Sequence, residues 1–402
     1  MNYQFRNEVL GAKKAAMGKM VNLAKENLKD GDRMINFASG HPSVEIFQRE
    51  TIKKYMELAA ESFNGDIFQY NELGFIPLRK SLTKFLNDKG NVVKQRDELM
   101  ITHGSTEAVF LSASAFVGVG DKVVVEMPSY VNAIEAFRTL GAEIVGVPVE
   151  NDGVNVEQLE NILKSYRGGV KLFYTIPNFG NPSGITMTYQ KRKAVYELSV
   201  KYGALILEDD IYGNLRYRGS RLPNIKEFDT AGSVIYIGSV SKTLAPAMRI
   251  GFLAADKEII RHIAKIKAVS SNEVTRVMQY ALWRMYEEND MYIWIKKICD
   301  IYAQKLFLME DSMDKYFPSS VKHSSPDGGM FIWVTLPEGT DIEQYCRESA
   351  VKLHIPVTPG NGFCVIEPEK CTSLRFNFVK ENLEDIEYGI RKTGKLMEQY
   401  VK

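Results

Sequence analysis

The chain has few cysteines and no arrangement of them that is typical of metal binding. Four occur among 402 residues, Cys299, Cys346, Cys364 and Cys371. They form no CxxC pair, and none lies beside a histidine at zinc-finger spacing. The five histidines are scattered and form no HExxH motif. We therefore predict reduced structural thiols and no metal site.

The sequence also lacks an excess of charge of either sign and long hydrophobic runs. Lys and Arg number 51 against 50 Asp and Glu, so the sequence has no excess charge to attract nucleic acid or an anionic membrane. The longest apolar stretch, around Val109 to Val119, is interrupted by Ser112, Ser114 and Gly118, and it is far shorter than the about 20 residues of a membrane span. Residues 1–20 contain no continuous apolar region of a signal peptide. We expect a soluble, cytoplasmic protein without nucleic-acid or membrane partners.

Apolar residues, at 45%, are sufficient for a large core, and the length suggests two to three units at roughly 150 residues each. Seven β-rich runs alternate with helical periods such as Thr188 to Tyr202, which ends at Gly203. The runs are Leu99–Thr102, Lys122–Glu126, Glu143–Val149, Lys171–Ile176, Ala204–Glu208, Val234–Ile237 and Gly251–Ala254. Several are apolar throughout, as expected for strands that are buried on both faces. The pattern predicts an α/β domain with a mostly parallel seven-stranded sheet sandwiched by helices.

After about residue 290 the pattern changes. A long helical stretch, roughly Glu287 to Tyr316, is followed by strands at Gly329–Val334 and Leu374–Val379 that alternate with helices. Such alternation predicts a smaller α+β domain. We therefore predict three parts, which are an N-terminal segment 1–45 packed on the smaller domain, a large α/β domain 46–290 and a small α+β domain 291–402.

Polar loops follow several of the predicted strands. His103 to Ala108 reads HGSTEA, where a glycine turn and two hydroxyls at a helix start suit an anion. An ordinary helix cap by Ser105 or Thr106 explains that loop equally well. Asn178 to Gly184 reads NFGNPSG, a tight turn that leaves Asn181 just beyond a buried strand. Ligands of open α/β sheets bind at this edge.

Two further loops carry charge. Leu205 to Tyr212 reads LILEDDIY, and its acids must lie at the strand end with partners. Helix caps, a metal site and a partner for a bound cation all remain open, although adjacent aspartates without a nearby histidine make metal a minor option. Gly238 to Gly251 reads GSVSKTLAPAMRIG. It lacks the GxxxxGK[ST] spacing of a nucleotide phosphate loop, and a plain surface loop is its alternative interpretation.

Together the four loops resemble the pyridoxal-phosphate (PLP) aminotransferases of class I/II, fold type I. The segment around Lys242 matches S-x-S-K-x-x-x-P-x-x-R-x-G, and the N-P-x-G turn and the D-x-x-Y run precede it in the family's order. The resemblance covers residues from about 36 to 378 and is closest to the 2-aminoadipate/kynurenine aminotransferase branch. It implies PLP as the cofactor.

The resemblance also implies roles for individual residues around the cofactor ring. Lys242 would form the Schiff base with the cofactor aldehyde and move the proton at the substrate α-carbon. Asp209 would pair with the pyridine nitrogen and keep the ring protonated. Tyr212 and Asn181 would hydrogen-bond the phenolic oxygen of the ring. Tyr130 matches the aromatic residue that stacks on the ring, although a core aromatic is the alternative.

Other matches concern the phosphate, the substrate and the second subunit. The residues that would hold the phosphate are Ser105, Thr106, Ser239, Ser241 and Arg249. Arg375 would bind the substrate α-carboxylate beside Gly40 and Asn181, with a structural salt bridge as the alternative. The segment Asn36–Pro42 would lie over the active site. Tyr70 would reach the phosphate of the neighbouring subunit, which implies a homodimer with shared active sites.

The implied reaction is a ping-pong amino transfer between an L-amino acid and a 2-oxo acid, commonly 2-oxoglutarate. We expect broad use of aromatic, branched or 2-aminoadipate-like donors. A β-lyase, a decarboxylase or a cyclopropane-forming synthase could use the same cofactor site. A non-catalytic PLP-binding sensor behind a DNA-binding domain is the remaining alternative, but the segment before residue 36 is short for such a domain.

Overall fold

The computed structural model describes residues 3–11, 18–61 and 69–401, which form two separate β-sheets with helices around them. The strands of the described residues, numbered in chain order, are β1 Asp97–Thr102, β2 Lys122–Met127, β3 Glu143–Glu150, β4 Gly153–Val154, β5 Val170–Thr175, β6 Leu205–Asp209, β7 Val234–Ser239, β8 Gly251–Asp256, β9 Lys322–His323, β10 Phe331–Thr335, β11 Thr358–Pro359 and β12 Ser373–Asn377. The first eight strands form the large sheet and the last four form the small sheet.

Helices occur on both sides of the large sheet and on the small sheet. The helices of the described residues are α1 Asn7–Gly11, α2 Lys19–Asn27, α3 Arg49–Glu61, α4 Ile76–Lys89, α5 Gly104–Phe116, α6 Val131–Thr139, α7 Val156–Ser165, α8 Tyr189–Tyr202, α9 Ile225–Phe228, α10 Lys257–Ser270, α11 Arg276–Glu288, α12 Met291–Tyr316, α13 Ile342–Lys352 and α14 Leu383–Met397. The predicted helix from Thr188 to Tyr202 is confirmed, with Thr188 as its N-cap residue and Gly203 in the left-handed conformation at its end.

The large sheet is mostly parallel, as predicted. Its order is β1-β8-β7-β6-β5-β2-β3-β4, and only β8 and the short β4 run antiparallel to their neighbours. Apolar residues cover both faces. In β2, Val123 and Val125 belong to the core on one face and Val124 to the core on the other, and all three are 0% exposed. This double burial explains why the strands appear as continuous apolar runs.

The prediction of seven strands was one strand short. β4 adds two residues at the edge of the sheet, where Val154 pairs with Val149 of β3. A two-residue strand after a turn has no apolar run of its own, so the sequence pattern did not indicate it. The seven predicted strands are all present.

The predicted long helix from Glu287 to Tyr316 was also wrong in its start. Helix α11 ends at Glu288 and α12 begins at Met291. Asp290 separates them because its carboxylate accepts hydrogen bonds from the backbone N–H groups of Tyr292 and Ile293, as an N-cap residue does.

The N-terminal segment pairs with the small sheet. The backbone N–H of Phe37 donates to the carbonyl of Pro356, and the carbonyl of Phe37 accepts from the N–H of Asn377 in β12. The amide of Asn377 also donates to the carbonyls of Ser39 and His41. The segment is thereby held across the end of the small sheet. The domain limits 1–45, 46–290 and 291–402 stay a prediction.

Candidate active site

The parallel strands β1, β2, β5, β6 and β7 all end at one edge of the large sheet, and a cavity with a volume of about 530 Å³ lies there. Ten of the predicted site residues line it, which are Gly40, Ser105, Thr106, Tyr130, Asn181, Tyr212, Ser241, Lys242, Arg249 and Arg375. Asp209 and Ser239 lie behind its wall. This is the edge at which ligands bind in open α/β sheets.

Lys242 follows β7 and extends into the cavity. Its Nζ donates a hydrogen bond to the carbonyl of Gly40 at 2.8 Å, which joins the loop after β7 to the N-terminal segment. Burial and then the positive charge of Arg375 lower the pKa of this amine to about 8, against the opposing effect of Asp209. The neutral form of this amine, which is the nucleophile, is therefore far more populated near neutral pH than that of an ordinary lysine with a pKa of about 10.4.

Asp209 is the last residue of β6 and is 0% exposed. Its Oδ2 accepts a hydrogen bond from the hydroxyl of Tyr174 at 2.8 Å, whereas its Oδ1 is buried with no hydrogen-bond partner among the described residues. Burial raises the pKa of this carboxyl to about 7, with a further contribution from the neighbouring Asp210. A buried carboxylate oxygen without a donor is costly, so a cationic or N–H group placed against it would be stabilising.

The two neighbouring acids have different partners. Glu208 is also 0% exposed, and its oxygens accept from the backbone N–H groups of Ile225 and Lys226 at the start of α9. Asp210 accepts from the Asn224 amide at 2.8 Å and from the Tyr236 hydroxyl at 2.9 Å. Helix capping therefore accounts for one acid of the three. Among residues 3–11, 18–61 and 69–401, no group of three or more His, Cys, Asp or Glu could hold a metal ion.

A hydrogen-bonded row crosses the cavity wall from the large sheet to the small sheet. The Asn181 amide donates to the Tyr212 hydroxyl at 3.5 Å and accepts from Nη1 of Arg375 at 3.0 Å. Nη2 of Arg375 donates to the carbonyl of Ala38 at 2.7 Å, and its guanidinium lies 4.2 Å from the ring centre of Phe331. Arg375 is 0% exposed, and this burial lowers its pKa to about 10, so it stays cationic at neutral pH.

The opposite end of the cavity is formed by the start of α5. Gly104 opens this helix at φ +77°, and a Cβ on Gly251 would come within 2.4 Å of the Gly104 carbonyl carbon, so the two backbones are in close contact. Nη2 of Arg249 donates to the carbonyl of His103 at 2.7 Å beside the same turn. A helix N-terminus with an arginine and nearby hydroxyls suits a phosphate.

Three predicted residues complete this description. Ser239 donates to the hydroxyl of Ser241 at 3.0 Å and accepts from the Ser241 backbone N–H at 3.1 Å, so it supports the loop from behind. Tyr130 precedes α6, and its hydroxyl accepts from the Asn132 amide at 2.9 Å. Burial raises the pKa of Tyr130. Tyr70 is 81% exposed and does not line the cavity of its own chain.

Sequence reasoning missed several cavity residues. Lys25 of α2 and Lys380 after β12 line it. His41 lines it too, within the segment that was predicted to lie over the site, and its pKa is lowered by burial and by Lys242. Tyr174 contacts Asp209 from the adjacent strand. Phe331 lies beneath Arg375. Of these residues, Tyr174 could have been found from the sequence, because it is a tyrosine near the carboxyl end of the predicted β5 strand. The other residues reach the cavity through contacts between distant parts of the chain.

Comparisons with known proteins agree with this geometry. Residues 32–392 match the family model of aminotransferase class I and II. The chain is 33% identical to aromatic-amino-acid aminotransferase 1 of Thermococcus litoralis, with 99% of this chain and 95% of that protein covered. It is 28% identical to 2-aminoadipate transaminase of Thermus thermophilus, with 90% of each covered. The structure of Pyrococcus horikoshii kynurenine aminotransferase matches with a TM-score of 0.92 at 32% identity, covering 99% of this chain and 98% of that one.

The chain therefore belongs to the class I and II aminotransferase family. It is a PLP-dependent transaminase of fold type I, and its relatives include proteins named 2-aminoadipate transaminase and kynurenine/alpha-aminoadipate aminotransferase. Among the described residues, no helix is both long enough and apolar enough to cross a membrane.

Proposed function

We propose that Lys242 attaches PLP covalently and is the group that moves protons during amino transfer. When bound, PLP supplies an electrophilic aldehyde and a ring that accepts electrons from the substrate α-carbon. The observation that supports this role is an amine with a lowered pKa in the same cavity as Asn181, Tyr212 and Arg375. The neutral Nζ would take a proton from the substrate α-carbon. The resulting ammonium would deliver this proton to the other carbon atom that is bonded to the transferred nitrogen.

The remaining residues fit the cofactor as a set. The buried Oδ1 of Asp209, which has no hydrogen-bond partner in the part of the chain that the structure describes, would accept from the protonated pyridine nitrogen. The first-turn N–H groups of α5, with Ser105, Thr106, Ser241 and Arg249, would hold the phosphate, and Ser239 would support them. In the same way, Tyr212 and Asn181 would donate to the phenolic oxygen, and Tyr130 would stack on the ring.

We assign the substrate α-carboxylate to the Arg375 side of the cavity. The guanidinium there is fully buried and remains cationic, and Asn181 and the carbonyl-bearing segment at Gly40 adjoin it. A planar fork of N–H donors matches a carboxylate bidentately. The carboxylate would be held on the far side from the phosphate, so that the α-carbon is presented to Lys242 between them.

For the amino acceptor we propose 2-oxoglutarate. Lys25 of α2 and Lys380 after β12 line the same cavity as Arg375. Each ammonium is available to a second carboxylate, because Lys25 is exposed and the ion pair that Lys380 makes within the described residues is a long one, 3.6 Å from Glu381. For the donor, the apolar Val21 and Met34 in the same wall favour aromatic and branched side chains, and the two lysines favour the terminal carboxylate of a 2-aminoadipate-like side chain.

We propose that the active unit is a cytoplasmic homodimer with shared active sites. Tyr70 is 81% exposed on its own chain, beside Asn71, whose backbone N–H donates to Glu273 at 2.7 Å. A loop that is anchored at Asn71 and exposes the adjacent Tyr70 could place this tyrosine in the active site of a neighbouring subunit. Sedimentation should give a dimer, and Tyr70→Phe should weaken PLP binding without changing the sedimentation. A monomer that retains full activity would contradict the shared site.

The decisive experiment is borohydride reduction of the PLP-loaded enzyme followed by peptide mass spectrometry. The phosphopyridoxyl group should appear on Lys242. Lys89 provides an internal control, because burial lowers its pKa to about 8 as well but it lines a different cavity. Modification of Lys89 instead of Lys242, or of neither, would refute the assignment. Turnover of donors with 2-oxoglutarate then tests the acceptor.

A further inference from the structure

Two of the four cysteines lie against each other. The thiol of Cys364 hydrogen-bonds the sulfur of Cys371, and the two residues bound an eight-residue loop before β12. Both are half-buried. A Cβ on Gly360 would be 3.0 Å from the sulfur of Cys371, which places that sulfur against the turn that precedes Cys364. Their spacing matches no motif that pairs two cysteines.

The loop is attached to the substrate side of the cavity. Phe363, which precedes Cys364, has its ring 5.1 Å from the guanidinium of Arg375. Its carbonyl accepts from the backbone N–H of Ser129, the residue before Tyr130, at 2.9 Å. The ring of Phe363 also packs edge-on against Trp333 of β10 at 5.8 Å. Phe363 therefore contacts the loop after β2, strand β10 of the small sheet and Arg375 of β12.

The loop also packs on the large sheet. A Cβ on Gly146 of β3 would be 2.8 Å from a methyl group of Val365 and 3.2 Å from one of Ile366, so these side chains fill the space that the glycine leaves. The ends of the loop lie near one another, while its middle is fixed on β3. A change in the distance between the ends is thus transmitted to Phe363.

We propose that Cys364 and Cys371 are a dithiol modification site, whose oxidation to a disulfide weakens substrate carboxylate binding by displacing Phe363 from Arg375. The effect on the substrate rests on the role proposed above for Arg375. The disulfide itself does not depend on that role. In the described residues Cys346 is buried and Cys299 donates to the Asn214 carbonyl at 3.4 Å, so neither takes part.

The oxidant is a low-molecular-weight disulfide, RSSR. The thiolate of Cys371 attacks one sulfur of RSSR, a protein–S–SR bond forms, and RS⁻ leaves. The sulfur of Cys364 then attacks the Cys371 sulfur, loses its proton and releases the second RS⁻. Two protein thiols are thereby oxidised by two electrons, and one RSSR is reduced to two RSH. Hydrogen bonds from Cys364 and Ser373 favour the thiolate of Cys371 and lower its pKa to about 7.

The bond would change the geometry because a disulfide holds its sulfurs at about 2.05 Å, closer than a hydrogen-bonded pair. Shortening this distance pulls Cys364, and with it the adjacent Phe363, toward Cys371 and out of its place beside the Arg375 guanidinium. The ring then no longer covers the guanidinium as before. Binding of the substrate in the ground state should weaken, so KM should rise by about threefold or more with little change in kcat.

The test treats the PLP-loaded enzyme with glutathione disulfide. Titratable thiols of the denatured protein should fall by two from the four of the sequence, and unreduced peptide mapping should join Cys364 to Cys371. The rise in KM for the amino donor should reverse with dithiothreitol. Cys364→Ser and Cys371→Ser should each be insensitive to the oxidant, and Cys299→Ser should respond as the parent does.

The outcomes are separable from the proposed function. Four remaining thiols, stable glutathione adducts without the cross-link, or an unchanged KM in the cross-linked enzyme each overturn the proposal. Failure of the Arg375 assignment would appear independently, in variants of Arg375 assayed under reducing conditions.

Discussion

The hydroxyl of Tyr174 donates to Oδ2 of Asp209 at 2.8 Å, and both side chains are completely buried. The contact joins neighbouring parallel strands, β5 and β6, just below the cavity floor. It satisfies one carboxylate oxygen and leaves the other directed away from the tyrosine. Burial raises the pKa of Asp209 to about 7, and the hydrogen bond from Tyr174 opposes this rise. The hydrogen bond thus favours the anionic carboxylate, which is the form that the proposed pairing with the cofactor ring requires.

Tyr174→Phe should therefore raise the pKa of Asp209 further. A hydrogen bond to a charged group contributes about 1.5–3 kcal/mol, which corresponds to about one to two pKa units. If Asp209 pairs with the cofactor ring as we propose, its protonated form is inactive, and the acidic limb of the kcat/KM profile should move to higher pH by this amount. Tyr236→Phe is the matched control, since that hydroxyl donates to Asp210 instead. Equal shifts in both variants would contradict a specific role for Tyr174.

Arg375→Lys should raise KM for every amino donor. Lysine lacks the planar fork that donates to Asn181 and to the Ala38 carbonyl, and it can offer a carboxylate only a point charge. Loss of one charged hydrogen bond predicts a fall in kcat/KM of about 10- to 100-fold. Absorbance of the bound cofactor should be retained. Arg216→Lys is the control, because Arg216 also lies on an aromatic ring, at 4.7 Å from Phe179, but outside this cavity.

Gly251→Ala should weaken PLP binding and stability together. The new methyl group would lie within 2.4 Å of the Gly104 carbonyl carbon and 2.7 Å of the Ser105 nitrogen, which are backbone atoms that cannot rotate away. Overpacking of this kind costs about 1–3 kcal/mol. Thermal melting and a PLP titration measure the two effects. In the control, Gly118→Ala, the nearest atom is a side-chain oxygen at 3.5 Å, and both quantities should stay unchanged.

Lys25→Met and Lys380→Met should separate dicarboxylic from monocarboxylic acceptors. If these ammonium groups bind the second carboxylate of 2-oxoglutarate, its KM should rise by about fivefold or more in one or both variants, as expected for a partly exposed ion pair worth about 1 kcal/mol. The KM of pyruvate should not change. An equal rise for both acceptors would show that the lysines act on the fold of the cavity wall and would remove the argument for 2-oxoglutarate.

The strands of the large sheet were predictable because burial on both faces leaves runs such as the three valines of β2. The helix break at Asp290 was not, because the apolar period continues across it and only the side-chain cap interrupts the backbone. The same contrast holds in the cavity. Loops that follow strands could be placed at a common edge by topology alone, which brought Lys242, Asn181 and Tyr212 together in the prediction.

Contacts between distant segments could not be predicted in this way. The hydrogen bond of Lys242 to Gly40 and that of Tyr174 to Asp209 depend on side-chain direction and on the packing of two sheets. The pairing of Cys364 with Cys371 depends on a loop conformation in which Glu367 has a positive φ. No periodicity or spacing in the sequence encodes such a fold-back, since several loop shapes of that length are sterically allowed.

Helix α2 contributes Val21, Asn22 and Lys25 to the cavity, whereas Asp209, Tyr212 and Lys242, which we propose for the chemistry, lie far later in the chain. Residues that contact the substrate side chain and residues that carry out the chemistry therefore lie in separate stretches of the sequence. This nine-residue helix could be exchanged for that of a relative, or its cavity-lining positions could be randomised, to select for new amino donors. Neither change alters the residues that we propose for the chemistry.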